Sequence, residues 1–302
     1  MYTEAECDTR LTGILAPRTG DMRKELTLEL SEYFGRAAAD IEQQLAGATA
    51  SFTAEWQQHV PDARDERAVT KFYNESKTEL FDLAQWHSTD AIHYRALICA
   101  DIATASLKAR TPPGPAYLDY GSGIGSDALV FASKGFDVTL ADVSEPLLAF
   151  AKWRCERRGM KVQTIDLKRR QPPHGAYDAV VCFDVLEHVH RPLRTLDHIN
   201  RSMRPGGLLF VHAPFGEDPD RPMHVVHEDV VTPRMHTVGF NWRGDLELPF
   251  PQWLWHPKVY QSFDISAIDR LGYRVYDSWL GQRVGAPLAK AYRKLRPNRY
   301  AA

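Results

Sequence analysis

The chain has 302 residues, 44% of them hydrophobic and 25% charged, with a formal net charge of −2. That length allows one large domain or two smaller ones with a sizeable apolar core. The near-neutral balance excludes a chain built as a whole to attract nucleic acid, and no apolar stretch is long enough to span a bilayer.

The polar, acidic start MYTEAECDTR is unlike a signal peptide. Cys7, Cys99, Cys155 and Cys182 are scattered with no CxxC pair, which reads as buried free thiols in a reducing compartment. The expected location is the cytoplasm.

Residues 1–110 read as a helical cap. Leu26, Leu30, Tyr33, Phe34, Ala37, Ala38, Ile41 and Leu45 recur at helical spacing, predicting a helix over Asp21–Gly47. Val69, Phe72, Tyr73, Leu80, Phe81 and Ala84 predict another over Asp62–His87, and a third covers about Thr89–Lys108. Thr111-Pro112-Pro113-Gly114-Pro115 breaks the pattern and marks a boundary.

Residues 111–280 then alternate between strands and helices. Strands are expected at Ala116–Tyr120, Asp137–Ala141, Lys161–Ile165, Asp178–Phe183 and Gly207–Ala213. Helices fall between them at Gly125–Lys134, Glu145–Gly159 and Pro192–Met203. The order predicts an α/β fold, a mostly parallel Rossmann-like sheet with helices on both faces, preceded by the helical cap. Pro214–Pro257 reads as a long irregular insertion rich in His, Pro and Trp. A helix near Asp264–Leu271 and a sixth strand at Tyr273–Leu280 follow, with no convincing seventh, and then a basic tail over 281–302.

The first strand runs into Asp119-Tyr120-Gly121-Ser122-Gly123-Ile124-Gly125. Glycines let a strand turn sharply into a helix and let a ligand approach the backbone. The dinucleotide fingerprint needs G-x-G-x-x-G, but here the third glycine comes one residue early. Asp119 would also repel a pyrophosphate, whereas it suits a ligand carrying an ammonium and a sulfonium. Asp142, ending the second strand, is placed to bond both hydroxyls of a ribose, and Asp166, after the third, to accept from an adenine amino group. For each acid taken alone the plainer reading is a turn or helix cap.

The ordered series LDYGSGIG, LADVS, TIDL, DAVVCFDVLEHV and MRPGGLLFVHAP resembles the motifs of class I S-adenosylmethionine-dependent methyltransferases. It covers about Tyr117–Pro214, a third of the chain. The resemblance implies S-adenosylmethionine as cofactor. It implies that Asp119, Gly121, Ser122 and Gly123 line its methionine end, Asp142 and Val143 the ribose, and Asp166 and Leu167 the adenine. Phe183 and Asp184 would complete the site. The family's sheet ends in an antiparallel hairpin, which this pattern does not display.

Methyl transfer from a sulfonium is an in-line displacement that mainly needs alignment and exclusion of water. His188, following the fourth strand, is the candidate base, against the plainer reading of a loop-shaping residue. No metal is expected. Asp184, Glu187 and His188 are nonetheless similar to an E-x-x-E-H metal site found in some methyltransferases, and that trio is the weaker alternative. Tyr73, Trp86 and His87 would face the ligands from a lid, and His224 from the insertion, unless these segments are merely packed core. The tail is expected to be a solvated basic helix.

The expected function is methylation of a small molecule, a specialised metabolite or amino-acid-derived compound, because cap and insertion suggest an enclosed pocket. Two alternatives stand. The same fold could promote attack within S-adenosylmethionine, releasing methylthioadenosine, or the chain could be a non-catalytic S-adenosylmethionine-binding subunit. No nucleic acid or membrane partner is expected.

Overall fold

The computed structural model describes residues 3–107, 114–215, 221–224, 231–246, 256–266 and 270. Its centre is Tyr177–Phe183 (β4), buried at every residue. Ala179, Val181 and Phe183 face one helical layer, Val180 and Cys182 the other. A strand covered on both faces has no polar side, which is why its sequence runs apolar throughout.

Around it lie Ala116–Tyr120 (β1), Asp137–Asp142 (β2), Val162–Asp166 (β3) and Met203–His212 (β5), all parallel to their neighbours in this group. The sheet order is β3-β2-β1-β4-β5-β7-β6, where β6 is Phe240–Asp245 and β7 is Lys258–Ser262. β7 runs antiparallel to both β5 and β6. The terminal hairpin is therefore present, but it lies nearer in sequence than expected. β6 sits inside the segment read as irregular, because Phe240–Asp245 buries mainly Phe240 and leaves Asn241, Trp242 and Arg243 exposed. A short edge strand with that pattern carries little periodic signal. The expected strand Tyr273–Leu280, the tail 281–302 and much of the insertion lie outside the described residues. In the expected helix Asp264–Leu271, residues 264–266 are not helical and Arg270 is.

The N-terminal region is more finely divided than its periodicity suggested. It comprises Glu4–Leu15 (α1), Met22–Phe34 (α2), Ala38–Ala46 (α3), Ala48–His59 (α4), Glu66–Glu75 (α5), Glu79–Trp86 (α6) and Tyr94–Ser106 (α7). The expected helix Asp21–Gly47 breaks at Gly35, which caps α2 at φ 63°. The expected helix Asp62–His87 begins at Glu66 and breaks at Ser76-Lys77-Thr78. There Glu55 accepts from Ser76 Oγ (2.7 Å), the Lys77 amide (3.1 Å) and the Thr78 amide (3.3 Å). A carboxylate from another helix has replaced the helical ladder, and helical periodicity is blind to that.

Three further helices, Ser126–Ala132 (α8), Glu145–Arg157 (α9) and Pro192–Ser202 (α10), connect the strands. α1 and α7 share a core with α8 and the sheet through Leu11, Leu97, Phe131 and Tyr117. α2, α3 and α6 instead pack on α9 through Leu30, Ile41, Leu80 and Phe150. All four cysteines are free and buried. Among the described residues, no helix is long and apolar enough to cross a membrane.

A polar cluster ties α2 to α9 within this apolar packing. Arg154 of α9, 1% exposed, donates through Nε to Glu29 of α2 (2.8 Å) and through Nη1 to the Ile124 carbonyl (2.8 Å) and Ser126 Oγ (3.1 Å). Arg158 binds the other Glu29 oxygen and the Leu15 carbonyl. Breaking a buried pair strands its partner's charge, whereas removing both charges does not. Glu29→Ala should therefore lower stability by about 3–5 kcal/mol. The combined replacement of Glu29→Leu with Arg154→Met and Arg158→Met, which removes every charge of the cluster, should cost less than that single change. Urea unfolding of the three proteins checks the order.

Candidate functional site

The sheet reverses its winding direction between β1 and β4, so the connections leaving these two strands diverge and open a crevice at their carboxyl ends. Helices α4, α5 and α6 roof this crevice into a cavity of about 620 Å³. Asp119, Gly121, Ser122, Gly123, Asp142, Val143, Leu167, Phe183, Asp184 and His188 line it from the sheet side, with Tyr73, Trp86, His87 and His224 on the others. These residues come from widely separated segments and were expected together. Asp166 is the exception. It is not on the cavity wall; its Oδ1 accepts from the Lys168 amide (2.9 Å), and its Oδ2 forms an ion pair with Arg169 Nε (2.9 Å) but has no hydrogen-bond partner.

The glycine loop forms as its composition requires. Gly121, Gly123 and Gly125 all have positive φ, at 79°, 50° and 77°. A Cβ at Gly121 would stand 2.2 Å from Val185 Cγ2, so the loop passes too close to the segment after β4 for any side chain there. Asp142 ties the loop to β2, accepting from the Gly123 amide through Oδ2 and the Ser144 amide through Oδ1, both at 2.9 Å. Each oxygen keeps a lone pair for a further donor.

Asp119 is 3% exposed, and its Oδ2 has no hydrogen-bond partner. Burial, then the charges of Asp127 and Asp142, push its carboxyl well above the usual range. A buried, unpaired acceptor beside a glycine cradle is what a cationic ligand would satisfy, so these residues fit a sulfonium nucleoside with an ammonium group.

Asp184 behaves differently. Its φ is 53°, in the left-handed region. Burial alone would raise its carboxyl, but the Arg95 guanidinium and His212 hold it well below the carboxylate range. His212 Nδ1 lies 2.6 Å from Oδ1, and Arg95 binds Oδ2. The trio Asp184, Glu187 and His188 therefore does not assemble as a metal site, because Asp184 is already neutralised. Among the described residues, Glu187, His188 and His224 instead bring one ligand atom each within 4.8 Å of one another. One carboxylate and two imidazoles fall short of the oxygen-rich shell that Mg²⁺ takes.

Arg95 is the main site residue that sequence reasoning missed. It is the second residue of α7, lies over the Phe183 ring at 4.6 Å and presents a buried Nε without a hydrogen-bond partner. Its only sequence signal was an arginine inside an otherwise apolar helical stretch, YRALICA.

Glu187 is fully buried, and neither carboxylate oxygen has a hydrogen-bond partner. Burial and the Asp184 charge push it up. His188 Nδ1 stands 3.2 Å from both Tyr73 Oη and the Met223 carbonyl. Donation from Nδ1 to that carbonyl leaves Nε2 a lone pair on the Glu187 side, 4.0 Å from Oε1. Burial and then His224 push His188 down to about 4, so the ring is neutral near pH 7.

A family model described as a methyltransferase domain matches residues 91–272. Over 103 residues the chain is 37% identical to the ubiquinone biosynthesis O-methyltransferase of Marinobacter nauticus, covering 32% of this chain and 43% of that one. The protein of the same name in Xanthomonas campestris is 35% identical over 104 residues, covering 33% and 43%. The chain thus spans less than half the length of these curated relatives. A SAM-dependent methyltransferase structure from Leishmania major has a TM-score of 0.51 at 17% identity, covering 68% of this chain and 88% of that one. The CurJ carbon methyltransferase gives 0.50 at 14%, covering 79% and 70%. At such identities the structures speak for the fold alone.

The wall beneath His87 generates a pH prediction. His93 is 1% exposed, and its Nε2 donates to the His87 carbonyl (2.9 Å). Burial pushes it from 6.5 down to about 4 despite that bond. The unfolded chain binds the proton first, so this contribution is intact above about pH 6.5 and is lost as the pH falls toward about 4, by roughly 3 kcal/mol. Unfolding free energies measured from pH 7 to 4 should show the decline, and His93→Gln should reduce it without abolishing it, because His188 and His87 are pushed down in the same way.

Proposed function

The chain belongs to the class I S-adenosylmethionine-dependent methyltransferases, and on that premise we propose that it methylates a hydroxyl or amine of a small molecule. The observation that carries this reading is the cavity of about 620 Å³, which joins the glycine loop, His188 and the helical roof in one space. That volume falls within the ordinary range of small-ligand sites. S-adenosylmethionine, the family's cofactor, supplies a methyl group already activated on sulfur.

The chain's own residues supply position and exclusion. Asp119 and the glycine loop receive the cationic amino-acid end, and Asp142 with Val143 the ribose. Leu167 offers an apolar wall for the adenine. Asp166, engaged by Arg169 and Lys168, takes no part in this assignment. Arg95 neutralises Asp184 and so fixes the segment leaving β4. α4 to α6 form the lid, keeping bulk water from the charged donor.

His188 acts as the acceptor's base. Its ring is neutral near pH 7, is oriented by Tyr73 and the Met223 carbonyl, and presents Nε2 beside Glu187. Nε2 would take the acceptor's proton as the acceptor displaces sulfur from the methyl carbon, the carbon–sulfur bond breaking to leave a neutral thioether. A hydroxyl is the first choice of acceptor, because the curated relatives are named as O-methyltransferases.

His188→Ala should lower turnover by about 10²–10⁴-fold while leaving S-adenosylmethionine affinity within about twofold. Single-turnover kinetics with calorimetry check this once a screen of phenolic and amine acceptors has found a substrate. Equal turnover would remove His188 as the base. Methylthioadenosine formed from enzyme and S-adenosylmethionine alone would overturn methyl transfer in favour of cofactor cleavage.

A further inference from the structure

Glu79 is the first residue of α6, on the lid rather than the sheet. It is 8% exposed, lines the cavity, and its Oε2 has no hydrogen-bond partner. A carboxylate buried this way is costly unless a ligand repays it. Burial followed by the Asp142 charge pushes Glu79 well above the usual carboxylate range, with the Ser144 hydroxyl pulling the other way.

The side chain is also held where it stands. The Glu79 amide donates to Ser76 Oγ (3.1 Å), and Ser76 Oγ donates in turn to Glu55 (2.7 Å). The next residues, Leu80 and Phe81, are buried against Phe150 and Leu147 of α9. Rotating α6 to release Glu79 to solvent would expose both. The lid therefore carries a carboxylate to the end of β2 and keeps it there.

Asp142 lines the same cavity, where it accepts from two backbone amides and keeps lone pairs for a further donor. Two acids lining one cavity raise the cost of ionising each other. A vicinal diol within reach of both relieves that cost, because each hydroxyl donates to one acid.

We propose that Glu79 and Asp142 form a two-sided carboxylate clamp on the vicinal diol of the cofactor's ribose. This rests on the assignment of Asp142 to the ribose. It makes α6 part of the cofactor site rather than a cover for the acceptor alone. It also sets a specificity: the clamp accepts an unmodified diol and rejects a ribose bearing a phosphate, which two acids would repel.

Calorimetry on the full chain tests the clamp, with S-adenosylhomocysteine and methylthioadenosine as probes. Glu79→Gln should weaken both by about 10- to 100-fold, the loss of one charge-assisted hydrogen bond. The same variant should raise the melting temperature of the ligand-free protein, because it removes a buried unpaired acid. A purely structural role would move stability and affinity in the same direction. The 2′- and 3′-deoxy forms of methylthioadenosine supply the second arm, and for one of them the Glu79→Gln effect should disappear. Glu79→Asp, one methylene shorter and still charged, should also weaken the diol probes, and it serves if the Gln variant does not fold. Unchanged affinity in the Glu79 variants, with Asp142→Asn weakened, would overturn the clamp and leave the Asp142 assignment standing. Unchanged affinity in both sets would overturn the ribose assignment as well.

Discussion

The buried pair between Glu29 and Arg154 is the interaction on which the site depends. Arg154 is closed off from water, so its charge must be met inside the protein, and three partners meet it. Two of them, the Ile124 carbonyl and Ser126 Oγ, belong to the glycine loop and the first turn of α8. The third belongs to α2 in the N-terminal helices. A single guanidinium thus sets the back of the cofactor loop and the seating of the cap at once. An apolar side chain of similar size would fill the space, but it could not place a carbonyl.

That tie explains how a site can be built between layers that pack independently. α1 and α7 bury against one face of the sheet with α8, while α2, α3 and α6 bury against α9. A third cluster, Phe52, Trp56, Val69 and Phe72 with Met223, joins α4 and α5 to the segment at 221–224. The cavity is what remains between these clusters at the switch point of the sheet. Its acids are spread over its walls rather than gathered at one end, with Asp119 and Asp142 from the sheet, Glu187 beyond β4 and Glu79 from the lid. A cation at the centre would be met from several sides, which favours a charged donor over a neutral one.

The parallel half of the fold was legible because each of its strands carries its own evidence. LDYGSGIG marks a strand turning into a helix, and AVVCF marks a strand buried on both faces. The cofactor-side residues could be placed because they fall where strands end. Elsewhere the information is not local. The break at Ser76–Thr78 depends on Glu55, more than twenty residues earlier in sequence. β6 is an edge strand whose outer residues look like a loop. Glu79 reads in sequence as an ordinary helix-opening acid, since carboxylates favour helix N-termini wherever they occur. Only its burial distinguishes it. Asp166 differs in the opposite sense, because its position in the motif says nothing of its ion pair with Arg169 three residues on.

Asp184 carries two demands of different kinds. Its backbone lies in a region that glycine, asparagine and aspartate enter at little cost, whereas other side chains resist it. Its side chain must also carry a negative charge, or Arg95 is left buried and uncompensated. Glycine and asparagine meet the first demand and fail the second. Glutamate meets the second and fails the first. The two filters overlap at one amino acid, so this position has almost no neutral path by which to drift. A lineage that lost the aspartate would have to replace Arg95 as well, and with it the cation that sits over Phe183.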